Sequence, residues 1–336
     1  MTSLTLKTFI MKNIFAFWLF IVCQGHAIAQ KIIEQYAPQT DSLRIGVKKE
    51  DLLPGNEKGY TLILPGDRPA GDIAGVVISL EDKHVNLRSN LAAQIYPEAT
   101  ARHFAVLYVS TGIPLDLFFS PKSLAYVDTT LKTLFTKYGL PNKNIFFLGV
   151  NLSGHRVLKY VEYFKKGRSE FIPDTKGIVL CDGVLDWVRQ WYEGKKGIRD
   201  NFVQSSVFEG QLITYLLEKN LDGTPKTRLE TYLDFSEYSY FDETDRHIKY
   251  FKDYPVRAYT EPATMYWLNQ ARKTTFDTNF PDIVGFINEL KLAGNTRSEL
   301  VIFNQDQHPF DRRNPDYTWG LVDKNELMDW MAMQAK

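Results

Sequence analysis

Cysteine is nearly missing from this sequence: its 336 residues hold only Cys23 and Cys181. Cys23 falls in a leader expected to be removed, so the remaining chain has no pair for an internal disulfide. Histidine is sparse too, with six residues, and no Cys/His spacing suits a metal site. Neither a metal nor another cofactor is therefore expected. The chain also lacks an excess of either charge, because 40 basic residues face 40 acidic ones. A chain without a basic surplus has no electrostatic footprint for polyphosphate, and no nucleic-acid partner is expected. Long apolar runs are absent as well. Ile14 to Val22 is nine residues long, about half of what a membrane-spanning helix needs.

That short run has a different meaning in its context. Met11-Lys12-Asn13 makes a polar opening before it, and Ala27-Ile28-Ala29 after it has the small-x-small pattern of a signal-peptidase site. Residues 1–29 read as a signal peptide starting at Met11. Phe20-Ile21-Val22 lacks the small residue that lipid attachment at Cys23 would want. An exported protein is expected, periplasmic or extracellular, with no stable membrane span after cleavage. The leader contains Lys7 and Lys12 and no acid, so the 307 remaining residues carry 38 basic and 40 acidic side chains. Cys181 lies in the apolar run Ile178-Val179-Leu180-Cys181 and reads as a small buried hydrophobe.

From residue 59 onward, strand-length apolar runs alternate with longer segments of helical period. The strand candidates are Tyr60–Leu64, Gly75–Leu80, Phe104–Val109, Ile145–Gly149, Gly177–Cys181, Pro255–Tyr259 and Glu299–Phe303. The helix candidates are Asn86–Tyr96, Lys122–Tyr138, Gly154–Lys165, Asp282–Ala293 and Lys324–Met331, with Gly139, Gly167 and Gly294 at C-terminal caps. Ser42–Leu64 is expected to supply antiparallel edge strands. The alternation implies an α/β domain over residues 30–336, with a mainly parallel sheet and helices on both faces. Residues 187–254 interrupt it and read as an inserted cap. This stretch is aromatic, with Trp187, Trp191, Tyr192, Phe202, Phe208, Tyr215, Tyr232, Tyr238, Tyr240 and Phe241. Those rings either pack the cap onto the sheet or line a groove for a ligand.

Gly149-Val150-Asn151-Leu152-Ser153-Gly154-His155-Arg156 joins a strand to a helix. In a G-x-S-x-G elbow the residues two before and two after the tip must be small, because strand and helix approach closely there. Centring on Ser153 puts His155 at a small position, which is too bulky. Centring on Asn151 puts Gly149 and Ser153 there, and both fit. Asn151 also suits the positive φ of such a turn, but an amide is no competent nucleophile. The plainer alternative is an ordinary turn capped by Asn151 or Ser153.

On these residues the chain resembles α/β-hydrolase-fold proteins of the esterase-like and prolyl-oligopeptidase-like kind, over about residues 55–333. The resemblance implies a nucleophile, an acid after a late strand and a histidine after the last one, in that order. It puts Glu261 at the acid position, with Asp186 as the alternative, and His308 in the histidine loop. In Tyr317-Thr318-Trp319-Gly320-Leu321-Val322-Asp323 it matches a histidine-bearing segment of some relatives, so that Tyr317 stands where their histidine does. The backbone N–H of Leu152 is the retained oxyanion donor, whereas Glu81-Asp82-Lys83-His84 replaces the expected glycine-rich loop. Two carboxylates there need Lys83, or an outward orientation, to be tolerable. Together these substitutions imply a hydrolase scaffold with a degenerate triad, binding a small-molecule, glycan or peptide ligand under its cap. The alternative is an active serine hydrolase, an esterase or peptidase, using Ser153 with His308 or His155 and Glu261 or Asp186.

Overall fold

The computed structural model describes residues 30–38, 57–66, 72–87, 94–303 and 317–335. Its strands are β1 (Lys31–Pro38), β2 (Glu57–Leu64), β3 (Gly75–Glu81), β4 (Phe104–Ser110), β5 (Ile145–Val150), β6 (Thr175–Cys181), β7 (Val256–Thr260) and β8 (Ser298–Ile302). They form one sheet in the order β1-β2-β4-β3-β5-β6-β7-β8. β2 runs antiparallel to both β1 and β4, and the pairs from β4 to β8 are parallel. Continuous apolar runs such as Gly75-Val76-Val77-Ile78 make strands covered on both faces, as parallel sheets require.

The helices are α1 (Tyr96–Ala101), α2 (Pro121–Tyr138), α3 (Leu152–Lys165), α4 (Trp187–Asp200), α5 (Gln204–Asn220), α6 (Leu229–Phe235), α7 (Thr264–Ala271), α8 (Phe280–Leu292), α9 (Tyr317–Leu321) and α10 (Lys324–Gln334). Side chains of α2, α3 and α8 close one face of the sheet around Val76, Ile78, Phe147 and Leu180. Side chains of α1 and α10 close the other around Val77, Phe146 and Val179. Among the described residues no helix is long and apolar enough to cross a membrane.

Two expectations need correcting. The edge strand beside β2 is Lys31–Pro38, upstream of the expected Ser42–Leu64 segment, of which residues 42–56 lie outside the described residues. The helix expected at Asn86–Tyr96 instead begins at Tyr96 and runs to Ala101, with Pro97 in its first turn. Proline is favoured there because the N–H it lacks would have no helical acceptor. Residues 88–93 are outside the described residues.

The insertion is helical. α4, α5 and α6 share a cluster of their own, with Trp187, Trp191, Leu217, Tyr232 and Phe235 buried. Other insertion rings, including Phe202, Phe208 and Tyr240, are exposed. The aromatics thus divide between packing and surface.

Candidate functional site

Between β5 and α3 the chain turns within a single residue, Asn151, at φ 52° and ψ −125°. No other L-residue type tolerates positive φ much better, yet a non-glycine held so far from the usual wells still stores on the order of 1–3 kcal/mol of strain. The surroundings hold it there: Asn151 N–H donates to Cys181 O at 2.9 Å, and Gly154 N–H donates back to Asn151 O at 3.0 Å. The Asn151 amide makes no capping bond to α3. A Cβ on Gly149 would lie 2.4 Å from Gly154 Cα, which is the close approach that the small flanking positions anticipate.

Ser153 is 2 % exposed. Its hydroxyl donates to Leu80 O at 2.8 Å and lies 3.1 Å from Ser79 Oγ. The hydroxyl is therefore tied back to β3, behind the turn. His155 is fully buried, with Nδ1 2.8 Å from Glu237 Oε2 and Nε2 2.8 Å from Leu117 O. Both ring nitrogens are engaged away from Ser153.

Asn151 lines two cavities. One, of about 280 Å³, lies toward the cap and also meets Asp182, Val184, Gln190, Glu261, Trp267 and Thr318. The other, of about 450 Å³, meets Glu81, Asp82, Tyr108, Leu152, Arg156 and Trp319. Asn151, Leu152, Glu261 and the segment just after Tyr317 are thus brought together from the ends of β5 and β7 and the start of α9. Tyr317 opens α9, but its side chain lies outside the described residues, as does His308 altogether.

Sequence reasoning missed two residues here. Asp182 follows β6 at φ 47° and accepts from Thr260 Oγ1 at 2.6 Å. Burial pushes its carboxyl up to about 6, against bonds from Thr260, Thr318 and the Glu261 N–H. The Asp182-Gly183 pair directly after a strand was a turn signal at the sheet's carboxyl edge that could have found it. Arg156 is the second, 2 % exposed. It donates through Nε to Asp116 O at 2.6 Å, and its other nitrogens lie 3.9 Å from Glu81 Oε2 and 3.4 Å from Asp82 Oδ2. Burial raises the Glu81 carboxyl, with Arg156 acting in the opposite direction. The acid pair at the end of β3 is offset by this buried guanidinium rather than by the exposed Lys83.

Asp186, the alternative acid, is a cap. Its two oxygens accept from the N–H groups of Arg189 and Tyr240, each at 3.0 Å. With both oxygens committed and 1 % of its surface exposed, it anchors α4 and does not join Asn151. Among the described residues no cluster of His, Cys, Asp or Glu could hold a metal ion.

No protein-family model matches the sequence, and no curated protein does either. Solved structures do match in shape. Acylaminoacyl peptidase from Pyrococcus horikoshii aligns with a TM-score of 0.55 at 12% identity, over 95% of this chain and 43% of that one. Carboxyl esterase 2 from Tuber melanosporum gives 0.50 at 11% identity, over 93% and 87% of the two chains. A fungal esterase from Rhizomucor miehei gives 0.51 at 9% identity, over 94% and 88%. The chain therefore spans under half of the peptidase but most of each esterase. At such identities the likeness is one of fold: an α/β-hydrolase fold, shared with esterases and peptidases, with a mostly parallel sheet and helices.

Proposed function

We propose that this is an exported α/β-hydrolase-fold protein whose elbow carries Asn151 where a nucleophile would stand, and which binds rather than hydrolyses. Its ligand, a small molecule, glycan or peptide, occupies the cavity between the strand ends and the cap. The observation that carries this reading is the division of labour within Gly149-Val150-Asn151-Leu152-Ser153. The amide residue takes the strained tip and lines both cavities, while Ser153, which borders only the larger one, has its hydroxyl tied to Leu80 O. Covalent catalysis needs a hydroxyl, thiol, amine or carboxylate with an activating partner. Ser153 has no such partner in His155, whose ring is engaged with Glu237 and Leu117.

The competing reading is an active esterase or peptidase using Ser153. A panel of p-nitrophenyl esters and aminoacyl substrates separates the two. The expected result is no turnover above the rate of the same protein carrying Ser153→Ala. Robust turnover abolished by a substitution at Ser153 or Asn151 would replace the binding reading with the hydrolytic one.

A further inference from the structure

Two buried histidines fasten the cap to the elbow helix, and each partner contributes one of them. His155, in the first turn of α3, meets Glu237 just after α6, with Nδ1 2.8 Å from Oε2. His247, farther along the cap, meets Glu162 near the end of α3, with Nδ1 3.0 Å from Oε1. The second nitrogen of each ring faces a main-chain carbonyl, Leu117 O at 2.8 Å and Leu233 O at 3.1 Å. A carbonyl only accepts, so Nε2 bears a proton in both rings. An ionised carboxylate also only accepts, so the bonds to Glu237 and Glu162 call for a second proton, on Nδ1. The four side chains are 0 to 6 % exposed, so water is a poor substitute for either partner.

His155 has a competitor for that second position. The indole Nε1–H of Trp187, the first residue of α4, points at the same Nδ1 at 3.0 Å. An indole N–H only donates and therefore needs the lone pair. Nδ1 serves Glu237 when protonated and Trp187 when not, and never both. In the neutral ring Glu237 keeps Lys159, whose Nζ is 3.5 Å from Oε1. That oxygen has no hydrogen-bond partner among the described residues.

We infer that the His155–Glu237 and His247–Glu162 pairs form a proton-operated latch, which clamps residues 229–250 of the cap onto α3 and releases them as the histidines lose a proton. Loss of the proton gives Trp187 its acceptor, so α4 is held while the segment from α6 onward loosens. The other charged groups around the pairs do not reverse this. Lys159 on α3 and Lys166 just after it pair with Glu237 and Glu162 respectively. On the loop bearing Leu117, Asp116 accepts from Phe118 N–H, and Arg156 turns to Asp116 O. α4 presents Trp187, α6 the Phe235 ring, and the turn after His247 the Tyr250 ring. Burial tends to raise the Glu162 carboxyl, but its bond to His247 and the charge of Lys159 outweigh that and hold it at about 2. Because the lysines stay charged, neither carboxylate is stranded on release, and the latch opens without unfolding the sheet.

Hydrogen exchange on the ligand-free protein tests the latch, read as protection factors corrected for the intrinsic rate. As the pH is raised from about 5.5 to about 8.5, peptides within 229–250 should lose protection by roughly tenfold. Peptides within 187–200 should not. Glu237→Gln, whose amide can pair with either state of His155, should flatten the dependence around residues 229–240, as should His155→Gln. Protection in 229–250 that ignores pH, or a dependence unchanged in Glu237→Gln, would overturn the inference. If His155→Gln fails to fold, the wild type and Glu237→Gln still decide it. No ligand or substrate enters the experiment, so its failure leaves the binding reading intact, and the substrate panel leaves the latch intact.

Discussion

Gly149→Ala is expected to destabilise the protein by about 3 kcal/mol or more, at the upper end of what overpacking costs. The added Cβ would lie 2.4 Å from Gly154 Cα, 2.6 Å from Gly154 N and 2.9 Å from Ser153 C. All three are backbone atoms, so no rotamer change relieves the contact. Either α3 moves off the sheet or the elbow reshapes. β5 is flanked on both sides by parallel partners, so a shift there disturbs three strands. Gly167→Ala is the control, since nothing lies within 4 Å of its Cβ and only its φ of 68° is at stake. That change should cost about 1–2 kcal/mol. Urea melts should show a lower midpoint for Gly149→Ala with an unchanged slope. Equal midpoints for the two variants would mean that strand and helix do not meet as closely as the elbow requires.

Arg156→Met should lower stability by about 3–5 kcal/mol, the range seen when one partner of a buried ion pair is removed. The guanidinium is buried against Asp116 O, Asp82 and Glu81. Without it two carboxylates share a low-dielectric cavity beside the elbow, and Asp116 O loses its donor. The loss should shrink when the acids are neutralised. In Glu81→Gln/Asp82→Asn protein the same Arg156→Met change should cost less than half as much, a coupling that a double-mutant cycle reads directly. Additive effects would show that Arg156 acts through its packing and its bond to Asp116 O rather than through the two acids.

Much of this architecture could be read from the chain before the structure was known. The alternation of apolar runs with helical segments identified every strand from β2 to β8, because most of them, such as β3, β4 and β5, are buried on both faces and leave continuous hydrophobic runs. β1 escaped because it has no such pattern: Lys31–Pro38 is exposed or half-buried along its whole length, so its sequence has no period to detect. Proline misled at α1, where Tyr96-Pro97 reads as easily as a helix end as a helix start. At the site, the size rule found Asn151 because Gly149 and Ser153 meet local constraints within one turn. Arg156 was opaque for the opposite reason. Its partners, Glu81, Asp82 and Asp116, are distant in sequence and reach it only through the packing of α3 on β3 and the loop after β4. Asp186 was open to two roles in the sequence, and its hydrogen bonds to Arg189 and Tyr240 assign it to capping.

The central claim is that the apex of this hydrolase fold is an amide and that Ser153 is a buried spacer. The most direct measurement is labelling of the intact protein with a fluorophosphonate probe, followed by peptide mapping across residues 149–156. The account predicts no adduct on Ser153, the same result as for Ser153→Ala. A stoichiometric adduct on Ser153, lost in that variant, would contradict it.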